Sequence, residues 1–235
     1  MGGMFVKQNA KTALFWGVLI ECAVVLCAVT IGQRPQTAVT APADTRPLIL
    51  LDAGHGGEDG GALAPDGTCE KDLNLDLTLT LRDTLTFCGC RVATTRDTDT
   101  GLGEGDTVRA RKVSDMKARL ALYDAADVVL SVHQNKFGDT ACRGAQFFYS
   151  QNAPESKLLA ETVRNRFVAL VQPDNTRELK IGGDNVFLLY KTQTPAVLAE
   201  CGFLSNPDDL ATLKDQTSRD KIALALAGGV LDYLG

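Results

Sequence analysis

The sequence contains little histidine, no thiolate metal motif and no concentrated basic charge. Of its 235 residues two are histidines, the formal net charge is −5, and no long Lys/Arg run occurs, which excludes a nucleic-acid partner. Two of the seven cysteines, Cys22 and Cys27, lie in an N-terminal apolar run. The other five include no CxxC pair, so we expect neither a disulfide framework nor a thiolate zinc site. No repeat of about 20 to 50 residues is visible, which excludes a solenoid.

The N-terminal residues predict a membrane segment ahead of one globular domain. Between Leu14 and Ile31 the only charged side chain is Glu21, and about 20 helical residues span the roughly 30 Å of a bilayer core. We therefore expect a cytoplasmic N-terminus over residues 1–12 and a transmembrane signal-anchor helix over residues 13–32. Residues 33–46, rich in Pro, Thr and Ala, predict a linker, and residues 47–235 a single domain.

The sequence does not decide whether this predicted helix is retained or cleaved, or in which direction it crosses the membrane. Its apolar run is longer than the core of a usual signal peptide, which favours a retained single-pass anchor. Small residues in the following TAVTAPA nevertheless permit cleavage and secretion. Lys7 and Lys11 precede the run while Arg34 and Arg46 follow it, so the positive-inside rule gives a weak orientation.

The remaining chain alternates strand and helix patterns, which is typical of an α/β sheet covered by helices on both faces. The predicted strands are Leu48–Leu51, Arg91–Thr95, Val128–Val132, Gly144–Tyr149, Val186–Leu189 and Ala196–Ala199. Helical spacing of apolar residues occurs from Val113 to Tyr123, from Leu159 to Leu170 and from Ile222 to Val230. Residues 73–81 (LNLDLTLTL) are ambiguous, because they alternate like a strand and also carry leucines four residues apart.

Both histidines stand where a predicted buried strand gives way to a loop. His55 lies in LILLDAGHGG, an apolar run that ends in glycine, and His133 lies in ADVVLSVHQN, an apolar run that ends in polar residues. Open α/β sheets place their chemistry at the carboxyl ends of strands. A zinc hydrolase needs three protein ligands from histidine and carboxylates, and a further carboxylate to transfer protons. Two carboxylates must therefore accompany the histidines.

The chain has 29 Asp and Glu residues, so the two carboxylates are chosen by their positions in the sequence. Glu70 follows His55 beyond the glycine-rich residues 56–68, which can fold back towards the histidine. Glu200 ends the apolar run PAVLAE, and a carboxylate at the end of a buried strand is costly unless it is paired or close to a metal. His55, Glu70, His133 and Glu200 are therefore the candidate site residues.

Four motifs give this set a family resemblance. DAGHGGEDGGA, Glu70 in CEKDLNL, SVHQN and AVLAECGFLSN resemble, in this order, the motifs of the zinc-dependent N-acetylmuramoyl-L-alanine amidases of the amidase 3 family. The resemblance implies a single-domain, mostly parallel mixed sheet between helices, with a helix after Glu70. It implies that His55, Glu70 and His133 bind Zn²⁺ and that Glu200 is catalytic.

The same resemblance implies the substrate, which is the peptidoglycan amide between N-acetylmuramic acid and L-alanine. Chain length, the N-terminal helix and the motifs RKVSDMKARL and HQNKF look most like the spore-cortex amidases. We accordingly expect a catalytic domain outside the cytoplasmic membrane, with a possible accessory membrane or lipoprotein partner. The short stretch between Gln134 and Gly144 leads us to expect no inhibitory helix there.

Several alternatives remain at this stage. The rival functions are a zinc peptidase that cuts within the peptide stem and a catalytically silent wall-binding module.

Single residues also have alternative roles. Asp52 either orients a ligand histidine or makes a structural hydrogen bond, and Asn135 either contacts substrate amides or caps a loop. Cys201 is a weak candidate nucleophile, because strand alternation points it away from Glu200. A basic stretch in residues 109–119 either forms a solvated helix face or contacts the carboxylates of the peptide stem. Its members are Arg109, Arg111, Lys112, Lys117 and Arg119.

Overall fold

A mixed six-stranded sheet forms the centre of the described domain. The computed structural model describes residues 44–235. Its strands are β1 (Leu48–Ala53), β2 (Arg91–Thr94), β3 (Val128–Asn135), β4 (Gln146–Tyr149), β5 (Lys180–Ile181) and β6 (Ala196–Phe203). They lie in the order β2-β1-β3-β6-β4-β5, and β4 is antiparallel to β6 while all other neighbours are parallel. The carboxyl ends of β1, β3 and β6 therefore meet at one edge.

Helices cover both faces of this sheet. They are α1 (Glu70–Phe87), α2 (Val108–Asp124), α3 (Glu155–Leu170), α4 (Phe187–Lys191), α5 (Pro207–Lys214) and α6 (Gln216–Leu234). Ile49 and Leu51 of β1 point into the larger core beneath α1, α3 and α6. Leu50 points to the opposite face, into a smaller core with Tyr123 of α2 and Leu189 of α4. This alternation of side chains along β1 produces the two-sided α/β architecture, and the predicted fold class is confirmed.

The ambiguous residues 73–81 belong to helix α1 rather than to a strand. Leu73, Leu77 and Leu81 are buried in the larger core, whereas Leu75 and Leu79 are only partly buried. The four-residue spacing therefore describes the packed face of this helix, as the family resemblance implied.

One predicted strand is wrong and one strand was not predicted. Residues Val186–Leu189 were expected to be extended, but Phe187–Lys191 form the short helix α4, in which Leu188 and Leu189 are buried. A short apolar run does not distinguish a buried strand from one turn of buried helix. The two-residue strand β5 has no apolar alternation that would predict it, since both of its residues are exposed.

The predicted transmembrane helix over residues 13–32 and most of the linker over residues 33–46 lie outside the described residues. Within residues 44–235 no helix is both long and apolar enough to cross a bilayer. Between β3 and β4, residues 136–145 form turns and loop without a helix, as the short spacing predicted.

Candidate metal centre

The four candidate residues come together at the shared carboxyl edge of β1, β3 and β6. His55 follows the last residue of β1 by two positions, and His133 lies near the end of β3. Glu200 of β6 pairs in register with His133 across the parallel strands. The sheet therefore brings together residues that are far apart in sequence.

A sharp backbone turn directs His55 into the site. His55 is the only described non-glycine residue with a positive φ, at 63°, and Gly56 and Gly57 continue the turn with φ values of 134° and 59°. Such conformations are strained for a residue with a Cβ atom and cost little for glycine. Two buried guanidinium groups hold the turn: Arg119 Nη2 donates to the His55 carbonyl at 2.6 Å, and Arg96 Nη2 donates to the Gly54 carbonyl at 3.1 Å.

Glu70 lies between the two histidines. It is the first residue of α1, where the positive end of the helix dipole favours a carboxylate. Its Oε2 atom is 3.2 Å from His55 Nε2, and its Oε1 atom is 2.9 Å from His133 Nδ1. One donor atom from each of His55, Glu70 and His133 lies within 4.8 Å of the other two. The structure thus forms one compact group of three donors.

The charges in this group stabilise one another. Burial alone would raise the pKa of Glu70, but the hydrogen bonds and charges of His133 and His55 lower it far below its usual value. Burial alone would lower the pKa of His55, but Glu70 and Asp59 raise it to about 9. Glu70 is therefore an anion across the physiological pH range, as a metal ligand must be.

Asp59, rather than Asp52, contacts a histidine of this group. Asp59 Oδ2 is 3.1 Å from His55 Nδ1, on the opposite side of the ring from the nitrogen that faces Glu70. A carboxylate in this position fixes the tautomer of a ligand histidine. Asp52 instead accepts hydrogen bonds from Thr95, Arg119, Tyr123 and Ser131. Of the two roles considered for Asp52, the structure therefore supports the structural hydrogen bond.

Glu200 is half-buried in a cavity that both histidines also line. The cavity has a volume of about 250 Å³, and its lining includes the apolar residues Phe187, Leu188 and Leu198. The Glu200 Oε2 atom is enclosed and has no hydrogen-bond partner among the described residues. Burial raises the pKa of Glu200 to about 7; His133 opposes this increase and Glu70 adds to it. A carboxyl group with this pKa can accept and release a proton near neutral pH.

The minor candidates occupy structural positions. Asn135 Oδ1 accepts a hydrogen bond from Lys136 N at 2.8 Å, which caps the local loop. Cys201 is buried in the larger core on the face opposite Glu200, and burial raises the pKa of its thiol, so it is not a nucleophile. All five cysteines of residues 44–235 are free thiols.

The basic residues of α2 do not form a single solvated face. Arg109 and Lys117 are exposed, but Arg111 pairs with Glu58 at 2.6 Å and Lys112 lies 3.5 Å from Asp59. Arg119 corrects the prediction most clearly, because it is 1% exposed and forms an ion pair with Asp52. The basic residues of α2 therefore include both exposed surface charges and one buried charge, Arg119, that stabilises the fold.

The three donors fit a zinc ion. Histidine nitrogen and carboxylate oxygen are common zinc ligands, and bonds of about 2.0 to 2.2 Å in a tetrahedral arrangement separate ligand atoms by roughly 3.4 Å. The two oxygens of Glu70 lie 3.2 Å and 2.9 Å from the two histidines, close to that spacing, and one donor atom from each of the three residues lies within 4.8 Å of the other two. The enclosed Glu200 Oε2 atom, which has no partner in the described residues, is a second observation that agrees with a cation in this cavity.

Two contributors to the site were missed by the sequence reasoning. Asp59 lies four residues after His55, but several acids follow that histidine and only the fold of the glycine-rich loop selects one. Gly54 lies directly against the His133 ring, and a Cβ atom built there would be 2.3 Å from His133 Nε2. A glycine immediately before His55 is visible in the sequence and indicates a close approach of another group. The sequence does not show that this group is His133, which is distant along the chain.

Comparisons with known proteins agree with this geometry. Residues 49–232 match the Amidase_3 family, described as N-acetylmuramoyl-L-alanine amidase. The germination-specific N-acetylmuramoyl-L-alanine amidase of Bacillus subtilis is 32% identical over 190 residues, which is 79% of each chain.

Two solved structures are also similar. The CwlD amidase of Clostridioides difficile, in complex with the GerS lipoprotein, aligns with a TM-score of 0.77 and 38% identity over 80% of this chain and 98% of that chain. The catalytic domain of CwlV from Bacillus (Paenibacillus) polymyxa var. colistinus aligns with a TM-score of 0.69 and 30% identity, over 80% and 98% respectively. The chain belongs to the Amidase_3 family of N-acetylmuramoyl-L-alanine amidases.

Proposed function

We propose that this protein is a zinc-dependent amidase that hydrolyses the bond between the lactyl group of N-acetylmuramic acid and L-alanine in peptidoglycan. His55, Glu70 and His133 would hold the zinc ion. The observation that carries the proposal is the convergence of these three donors within 4.8 Å, at the cavity that Glu200 also lines. When bound, zinc supplies a Lewis acid that polarises the amide carbonyl and makes water nucleophilic at neutral pH.

Glu200 performs the proton transfers in this proposal. In its anionic form it accepts a proton from the attacking water, and it then delivers that proton to the departing nitrogen of L-alanine. In the metal-free site burial raises the pKa of Glu200 to about 7, and a raised pKa makes its carboxylate a better proton acceptor. The enclosure of its Oε2 atom limits the contact of that oxygen with bulk water.

Variants of Glu200 and His133 test these roles. Because a general acid–base contributes about 10²- to 10⁴-fold to a rate, Glu200→Gln is expected to lower kcat by at least 100-fold and to retain zinc. His133→Ala is expected to lose both zinc and activity, since it removes a ligand. Zinc content is measured by elemental analysis, and Glu58→Gln, at an exposed neighbouring acid, is the control. Retained activity in Glu200→Gln would remove Glu200 from the mechanism.

Product analysis separates the amidase from a stem peptidase. Purified peptidoglycan is digested with the full chain, and the products are identified by mass spectrometry. The amidase releases peptides with a free L-alanine amine and leaves muramic acid without a stem. Products in which muramic acid still carries L-alanine would assign a peptidase. Binding to the wall without any product would assign a silent binding module.

We further propose that the substrate is spore-cortex peptidoglycan and that a lipoprotein assists the enzyme. The similarity to a germination-specific amidase supports the cortex, and the similarity to an amidase in complex with a lipoprotein supports the partner. Digestion of cortex-type and vegetative wall in parallel tests the first proposal. Co-purification of a lipoprotein from sporulating cells that express the tagged chain tests the second.

We also propose that residues 13–32 anchor the protein in the cell membrane with its catalytic domain outside the cytoplasm. The support is the apolar run with the single charge of Glu21 and the extracytoplasmic position of the proposed substrate. Protease added to intact cells without their wall should degrade the domain, and membrane fractionation should distinguish the anchored form from a secreted one.

A further inference from the structure

Asn74 contacts Glu70 from one turn further along α1. It is fully buried on the face of α1 that also buries Leu73, Leu77 and Leu81. Its Nδ2 atom donates to Glu70 Oε1 at 3.2 Å and to the Gly54 carbonyl at 3.1 Å. A buried amide in such a position is costly unless its hydrogen bonds are satisfied, so these contacts account for its presence there.

The carbonyl oxygen of Asn74 is also bonded. Gln134 Nε2 donates to Asn74 Oδ1 at 3.3 Å. Asn74 therefore contacts Glu70 itself, the residue immediately before His55 and the residue immediately after His133. One side chain links all three segments that supply the candidate zinc ligands.

The partners fix the orientation of this amide. The two atoms that face Nδ2, Glu70 Oε1 and the Gly54 carbonyl oxygen, can only accept hydrogen bonds. Rotating the amide by 180° would place its oxygen against both acceptors and its NH₂ group against the Gln134 donor. Asn74 therefore presents its donors to Glu70 in a single arrangement, which holds the carboxylate of Glu70 in one rotamer.

We propose that Asn74, itself held by Gln134, is a positioning residue that orients Glu70 for zinc binding. The inference rests on the proposed zinc site, but it concerns affinity for the ion rather than the reaction. Without the Asn74 amide, Glu70 would keep its backbone donors, Ala62 N at 2.8 Å and Gln134 N at 3.2 Å. It would lose the side-chain bond that ties its Oε1 atom to the His55 turn.

Thr78 provides a matched control within the same helix. It lies one turn beyond Asn74, is also fully buried, and its Oγ1 atom has no hydrogen-bond partner in the described residues. Thr78→Val therefore changes a buried polar group of α1 that does not contact the zinc site.

The experiment compares full-length wild type with Asn74→Ala, Asn74→Asp and Thr78→Val. Zinc affinity is measured by chelator competition, and the geometry of the site by the visible absorption spectrum of the Co²⁺-substituted protein. Because loss of a partner that orients a ligand costs about 10- to 100-fold in metal affinity, both Asn74 variants should raise the zinc Kd by that factor and alter the Co²⁺ spectrum. Thr78→Val should retain the wild-type Kd and spectrum.

Folded Asn74 variants with the wild-type zinc Kd and Co²⁺ spectrum would overturn the inference. Should both fail to fold by circular dichroism, Gln134→Ala provides the second test, since it removes the bond that holds Asn74 Oδ1 and leaves the Asn74 amide in place. It should weaken zinc binding relative to Thr78→Val, and wild-type affinity would overturn the inference. Absence of zinc binding in the wild type would instead contradict the proposed function, so the two failures are distinguishable.

Discussion

At the scale of single residues, the ring of His133 leaves no room for a side chain at Gly54. A Cβ atom at position 54 would lie 2.3 Å from both Cε1 and Nε2 of that ring, well inside van der Waals contact. The ring is also held by Glu70, whose Oε1 atom lies 2.9 Å from Nδ1. The absence of a side chain at Gly54 is thus a requirement for the position of His133.

Gly54→Ala is therefore expected to displace His133 and to weaken zinc binding. We expect the zinc Kd to rise at least 10-fold, comparable with the loss of a residue that orients a ligand. The measurement is chelator competition on the folded variant. Gly60→Ala is the control, because a Cβ atom at Gly60 would meet no atom within 4 Å. Equal affinities of the two variants would show that the His133 ring has more freedom than this contact implies.

Residue types at strand ends predicted which residues come together but not what surrounds them. His55 and His133 are the only histidines, so their place at the ends of apolar runs was informative. Asp59 and Asn74 carried no comparable signal, because Asp and Asn are common and their partners depend on how the glycine-rich loop and α1 pack together. Orienting contacts are properties of the tertiary structure and are therefore hard to derive from sequence spacing.

At the scale of secondary-structure elements, a buried ion pair attaches α2 to β1. Arg119 of α2 pairs with Asp52 of β1, and the same guanidinium donates to the Ala53 carbonyl at 2.9 Å. Arg119 is held in addition by Asp115 on its own helix at 2.7 Å. Burial alone would raise the pKa of Asp52, but Arg119, Tyr123 and Ser131 lower it to about 2.

This depressed pKa predicts how stability depends on pH. Asp52 has an ordinary pKa of 3.8 and a folded-state pKa of about 2, so the unfolded chain binds the proton more tightly. The stabilisation is complete above about pH 4 and is lost as the pH falls towards 2; it amounts to about 2 kcal/mol. Asp52→Asn removes one of the two carboxylates that pair with the buried Arg119 and leaves only Asp115, so it should lower the free energy of unfolding by about 3 kcal/mol at neutral pH.

Urea unfolding at a series of pH values between 2 and 7 measures both effects. The slope of stability against pH between about 2 and 4 should decrease in Asp52→Asn relative to wild type. Glu104→Gln, at an exposed acid, serves as the control. Equal slopes for wild type and Asp52→Asn would contradict a low pKa for Asp52.

Periodicity identified most elements and failed where two periods fit the same residues. Residues 73–81 alternate like a strand, yet the buried leucines follow the helical spacing, and only the family resemblance resolved this correctly. In Val186–Leu189 the run is too short to reveal a period, and the chain forms helix α4. The physical reason is that a strand and a helix that each bury one face both require apolar residues on that face, so a short apolar run fits either conformation.

At the scale of the whole molecule, the site joins α1 to three strands of the sheet. A zinc ion bound to His55, Glu70 and His133 would link β1, α1 and β3 in the folded state, a combination that the unfolded chain does not provide. Binding to the folded state alone must therefore increase stability.

Free zinc at 100 times its Kd is expected to stabilise the metal-free protein by about 2.7 kcal/mol. For a domain of this size that corresponds to an increase in Tm of about 5 to 10 °C. Differential scanning fluorimetry of the metal-free full chain with and without zinc measures the shift. His133→Ala should show no shift, and an equal shift in that variant would assign the stabilisation to zinc bound elsewhere.

The architecture as a whole was predictable because alternating strand and helix patterns admit few topologies. The antiparallel orientation of β4 relative to β6 could not be predicted from the sequence. An antiparallel strand near the edge of a sheet has no sequence pattern that distinguishes it from a parallel one. This orientation places the amino end of β4 at the edge where the carboxyl ends of β3 and β6 carry His133 and Glu200.

The central claim is that His55, Glu70 and His133 share one zinc ion, and anomalous diffraction at the zinc absorption edge tests it most directly. Crystals of the zinc-loaded protein should show one strong anomalous peak within about 2.0 to 2.2 Å of a nitrogen of each histidine and of a Glu70 carboxylate oxygen. No peak at this position, or a peak coordinated by other residues, would contradict the account.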